Sequence, residues 1–428
     1  MSTLCVSGGR VLLPDHDVVR ADVLVDQTAG TILEVGEDLS GDETLDATGS
    51  LVLPGLVNAH THAAMTLLRG IADDKPLDAW LREDIWPVEA ALTSEDVRAG
   101  TELAAVEMIR SGTTAFADMY FECEAVVDAV DRAGLRATVG HGVVTVGKDD
   151  EAARADAAES IAVAEELDGA ADGRVSTAFM PHSLTTVDPE ILREHVRKAR
   201  EAGVPVHFHA NETTDEVAPI VDEYDRRPLA WAREQGLLDA EDFLAHGVHT
   251  TSDEHDLLAE TGAGVVHCPA SNMKLASGMA PVQAMRDAGV TVALGTDGAA
   301  SNNDLDVFDE MRDAAMLGKL AADDASAVPA GAVVEMATRG GADVLGIDSG
   351  RVEAGANADL AVLDLDAAHL TPEHDLVSHL AYAARGSDVR HTVCDGDVLM
   401  RDRDLTTLDA AAVRERASDH ATELVERA

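Results

Sequence analysis

Two rhythms of hydrophobic and polar positions divide the chain. Near the start, Thr3–Ser7 and the stretches 10–13 and 23–25 are short apolar runs separated by Gly, Asp and Thr, the pattern of strands joined by turns. The far end repeats it, with Leu360–Asp364, 391–394, an Asp395-Gly396 turn and 397–400. Between these flanks, apolar runs bounded by polar punctuation alternate with helical stretches rich in Ala, Glu, Asp and Arg, such as 188–202 and 280–288. The runs fall at 51–58, 114–118, 136–144, 175–181, 204–210, 243–248, 264–268 and 291–295. Eight strands with intervening helices predict an α/β fold of the (β/α)8, TIM-like barrel type. An open doubly wound sheet would need a Gly-rich phosphate loop after an early strand, and none is found.

Charge changes the picture of the surroundings rather than of the fold. The 428 residues carry 80 acidic and 32 basic side chains, a formal charge of −48. Nucleic-acid binding needs the opposite balance. The acids are dispersed among apolar stretches instead of forming a tail, so a folded surface adapted to a salt-rich cytoplasm is expected, where screening over a few ångströms tolerates the repulsion. Cys5, Cys123, Cys268 and Cys394 form no Cys-x-x-Cys pair, which fits a reducing compartment. No signal peptide or membrane span is expected.

Candidate chemistry collects where the runs end, the rim on which a barrel builds its active site. The first run leads to His60 and His62, two residues apart and therefore on one face of a strand. The fourth ends in His182, the fifth delivers His207, His209 and then Glu212, the sixth His246 and His249, and the eighth Asp297. Neutral imidazole is the commonest protein metal ligand.

This constellation resembles the amidohydrolase superfamily, with His-x-His after strand one, His after strands five and six, and Asp after strand eight. The strings PGLVNAHTH, MTLLRG, HFHANET, HCPASNMKL and LGTDGAASNN are similar to the branch that deaminates methylthioadenosine, S-adenosylhomocysteine and 5′-deoxyadenosine. The resemblance implies a barrel over 56–350 and a composite β-sandwich from 1–55 and 351–428. It implies His60, His62, His209 and Asp297 as ligands of one divalent ion, zinc or iron, with one position open. Glu212 would shuttle a proton to purine N1, His246 would polarise the attacking water, and Glu89 and His182 would contact the substrate, with Glu212 and Asp297 also touching it. The expected partners are a small nucleoside and further copies of the chain, not nucleic acid or membrane. Relatives that accept S-adenosylhomocysteine use arginines after strand three. Here His141 and Lys148 occupy that region, so a smaller 5′ substituent is expected. A guanine or triazine hydrolase and a non-catalytic binding relative are the alternatives. A binuclear amide hydrolase would want a lysine ending strand four, and the nearest, Lys198, falls within a helix.

Overall fold

A computed structural model describes residues 2–428. The central part is a mixed α/β fold built on two parallel sheets. The first contains Leu56–Thr61, Thr113–Tyr120, Arg136–Val143 and the divided fourth strand, Val175–Thr177 with Met180–Pro181. The second contains His207–Ala210, Phe243–His246, Gly264–His267 and Val292–Leu294. Isolated parallel bridges, Phe179 with Val206 and Ser183 with His209, join one sheet to the other. On the opposite side the Asp297 amide donates to the His60 carbonyl at 3.0 Å. Gly295 permits this approach, because a Cβ there would lie 2.9 Å from the His60 backbone.

The central strands are buried on both faces and end where polar side chains emerge at the rim. Leu56–Thr61, Thr113–Tyr120 and Arg136–Val143 are buried at every position, the pattern of a parallel sheet covered by helices. Thr93 caps Ser94–Arg110, with Asp96 returning a bond to its amide, and Asp188 caps Pro189–Ala202.

The termini meet in two further sheets. One has four strands from the first 46 residues; the other has seven and interleaves Arg10–Leu12, Val18–Arg20 and Ser50–Pro54 with Leu360–Asp364, Val389–Cys394, Asp397–Arg401 and Asp404–Leu405. Leu4, Val23, Val52, Leu360 and Val393 share one buried cluster between them.

Two local expectations change. The run 51–58 is not one strand: Ser50–Pro54 pairs with Leu360–Asp364, whereas Leu56–Thr61 enters the central sheet, with Gly55 between. Both halves are wholly buried, so the hydropathy pattern hides the break. The chain end is also not purely β. Ala410–Arg427 is a helix that buries Val413, Ala417 and Leu424, and its His420 and Arg427 bind Asp96 of Ser94–Arg110. No helix among the described residues is long and apolar enough to cross a membrane.

Candidate metal centre and active site

The strand ends bring five donors together. Nitrogen and oxygen donor atoms of His60, His209, His246 and Asp297 all lie within 4.8 Å of one another. His62 joins them through the carboxylate: its Nε2 is 3.2 Å from Asp297 Oδ1, and His60 Nε2 is 3.4 Å from the same oxygen. His246 thus belongs to the mutual cluster, and His62 reaches it through Asp297 Oδ1.

The outer atoms of these rings are tied back in a way that decides their tautomers. His62 Nδ1 donates to the Met119 carbonyl and His209 Nδ1 to the His182 carbonyl, each at 2.6 Å. His60 Nδ1 meets His207 Nε2 at 2.8 Å, while His207 Nδ1 reaches the Phe243 carbonyl at 3.1 Å. A carbonyl can only accept, so His207 holds its proton on Nδ1 and takes one from His60 on Nε2. His246 Nδ1 pairs with Asn272 Oδ1 at 3.0 Å. Ser271 and Ser301 hydroxyls both donate to Asp297 Oδ2, leaving Oδ1 for the imidazoles. Such partners fix ring orientation in metal sites.

The consequence is a confrontation of lone pairs. His60 Nε2 and His209 Nε2 lie 3.1 Å apart, and each ring has committed its proton to the other nitrogen. Burial holds both rings neutral, moving His60 down to about 4 and His209 well below the ordinary imidazole value. Two bare nitrogens at that distance repel unless a cation lies between them. Three imidazoles and a carboxylate suit zinc, so the donor set fits a divalent ion. Burial pushes the Asp297 carboxyl up, but the adjacent imidazoles of His60 and His62 outweigh it and hold it well below the usual carboxylate range.

Above this floor opens a cavity of about 980 Å³ lined by His62, Glu89, His182, His209, Glu212, His246 and Asp297, so the eight residues singled out in the sequence converge, His60 lying just beneath. Burial raises the Glu212 carboxyl, whose Oε2 is 3.6 Å from His246 Nε2. Burial likewise pushes Glu89 up to about 7, and its Oε1 is buried without a partner. His182 is pushed down to about 3 by burial and bonds Thr186 through Nδ1 at 3.0 Å.

Backbone strain accompanies the chemistry. Asn211, His246 and Asp297 adopt φ of 57°, 76° and 60°, left-handed values uncommon for residues with a side chain. Each follows or ends a strand whose direction must change to aim the next group at the cavity.

The sequence assigns no role to several contributors. His207 orients His60 from beneath. His249 lines the cavity and donates to the Ser277 carbonyl at 2.8 Å, and the Ser277 hydroxyl donates to Glu212 Oε1 at 3.1 Å. Nothing local marks Ser277, which lies 65 residues from Glu212. His141 is a correction. It does not line the cavity; Nε2 binds Asp156 at 3.0 Å, and Lys148 binds the other oxygen of Asp156 at 2.7 Å. Asp156 engages both groups, and neither lines the cavity. Lys198 pairs with Glu194 on an outer helix and is no metal bridge.

The amidohydrolase family model matches residues 51–399. A protein of Haloarcula marismortui named 5-methylthioadenosine/S-adenosylhomocysteine deaminase is 71% identical over 430 residues, with all of both chains covered. A 5′-deoxyadenosine deaminase of Methanosarcina mazei is 43% identical over 432 residues, covering 100% of this chain and 99% of the relative. Among solved structures, an adenosine deaminase from Xanthomonas campestris with bound zinc superposes with a TM-score of 0.93 at 38% identity, covering 99% of this chain and 98% of that one. On the extent of these matches, the chain belongs to the amidohydrolase family.

Proposed function

We propose that the protein deaminates adenosine-type nucleosides hydrolytically at purine C6, giving the inosine analogue and ammonia, with 5′-methylthioadenosine, S-adenosylhomocysteine, 5′-deoxyadenosine and adenosine as the substrate class. The observation that carries the reading is the opposed pair of bare nitrogens on His60 and His209 beside Asp297 Oδ1, at the floor of a cavity that also holds Glu212. The names of the relatives favour this class over guanine or triazine chemistry.

His60, His62, His209 and Asp297 would hold one divalent ion, zinc in our reading. When bound, such an ion acts as a Lewis acid and lowers the pKa of water towards neutrality. Attack on an aromatic carbon requires the neighbouring ring nitrogen to be neutralised at the same time. Glu212, raised by burial and held by Ser277, is suited to protonate N1 as oxygen bonds to C6. His246 and Asp297 would orient the water and receive its proton, which passes to the amino group before the C6–N bond breaks. Glu89, with its unpartnered Oε1, would accept from a ribose hydroxyl, and His182 would make a second contact. The division of the chain into a closed barrel over 56–350 and a composite β-sandwich from 1–55 and 351–428 belongs to the same reading. It is supported by the bridges between the two parallel sheets, the Asp297–His60 bond and the cluster shared by the terminal sheets.

The test is ammonia release over a panel of adenosine analogues, guanine and a triazine, in molar salt with added zinc. Turnover of the adenosine analogues is expected; turnover confined to guanine or the triazine overturns the reading.

A further inference from the structure

One guanidinium faces the cavity. Of its lining residues, Asp78, Glu89, Glu212, Asp215, Glu216 and Asp297 are carboxylates, and Arg82 is the only lysine or arginine. An anionic group on a substrate therefore has one cationic side chain to meet. Arg82 stands at the rim, more than half exposed, on the turn Leu81–Ile85 between Leu77–Trp80 and Trp86–Glu89. Its guanidinium carbon is 5.7 Å from the centre of the Trp86 ring, and its Nε donates to Asp78 Oδ1 at 2.6 Å. Among the described residues its two Nη groups have no acceptor and Asp78 Oδ2 has no donor. The stacking and the Nε bond fix the plane of the fork while leaving its outer donors available.

We infer that Arg82 and Asp78 form a subsite for a zwitterionic α-amino-acid group at the 5′ end of the nucleoside, with the Arg82 Nη groups on its carboxylate and Asp78 Oδ2 on its ammonium. This rests on the deaminase reading and extends it to specificity. The arrangement does the work that His141 and Lys148 cannot do, since both are committed to Asp156 outside the cavity. A guanidinium fork matches a carboxylate in two parallel bonds. The floor around Glu212 is buried and Arg82 is exposed, so the purine would enter the floor while the amino acid stays at the wet rim. Because the pair is exposed and works in high salt, its effect is modest.

The test compares S-adenosylhomocysteine with methylthioadenosine, which lacks the amino-acid group. In molar potassium chloride, the full-length Arg82→Met variant should raise KM for S-adenosylhomocysteine about three- to tenfold with kcat preserved. Methylthioadenosine should change at least about threefold less, and Arg82→Lys should recover part of the difference. Equal effects on both nucleosides, or none on S-adenosylhomocysteine, overturn the subsite. Equilibrium dialysis of both nucleosides against the same variants reads this ratio without turnover. If the unaltered protein deaminates neither compound, the deaminase reading fails, and the dialysis ratio alone decides the subsite.

Discussion

Two buried polar clusters sit on this fold, and they are satisfied in opposite ways. Where the central strands meet the terminal sheets, Arg136 Nε binds Asp359 Oδ2 at 2.8 Å and Arg136 Nη2 binds Asp395 Oδ1 at 2.7 Å. Ser349 and the Asp395 amide complete the donors to Asp359. Every charge there has an opposite partner within the chain. At the strand ends, by contrast, His60, His209 and Asp297 direct acceptors at one another. A closed cluster holds structure together; an open one is complete only with a cation. Arg136 and Asp359 are buried as the strand-end groups are, so it is the donor and acceptor arithmetic that separates a brace from a site.

The comparison breaks most visibly at a ligand. His209→Ala should reduce bound metal, measured by atomic emission after dialysis, to background and abolish deamination while the protein remains folded by circular dichroism. Glu212→Gln should retain the metal and lower kcat by about 10²–10⁴-fold, within the range of general acid–base residues. Retained activity in that variant would remove Glu212 from the chemistry. Arg136→Met strikes the closed cluster instead: it leaves Asp359 buried without its charge partner and should cost about 3–5 kcal/mol in denaturant unfolding. Its kcat per folded molecule should stay near that of the parent, and a matching loss of metal would erase the distinction drawn between the clusters. The smallest expected effect is His207→Leu, which removes the group that fixes the His60 tautomer and should weaken metal binding about 10–100-fold in a competition titration.

Much of the central fold was legible because each strand is an apolar run that stops where a polar side chain faces the rim. His60, His209, His246 and Asp297 were visible for that reason. Their supports were not. His207 differs in no local feature from an ordinary core histidine, and Ser271, Ser277 and Asn272 act across folds of the chain that hydropathy does not encode. The left-handed backbone at His246 and Asp297 leaves no compositional trace, since neither position is glycine. The position of His141 outside the cavity was not legible, because alignment to a motif places a residue along the chain but not on a side of the strand. Asp156, nearly two turns into the following helix, captures His141. The break at Gly55 was hidden because both sheets it joins bury their strands completely.

The most direct measurement of the central claim follows the oxygen. In heavy-oxygen water with zinc and molar salt, methylthioadenosine should become its inosine analogue with the label at purine C6 and one ammonia released per product, a conversion lost on chelation and restored by metal. Unchanged adenine absorbance with metal bound, or a product cleaved elsewhere on the nucleoside, would contradict it.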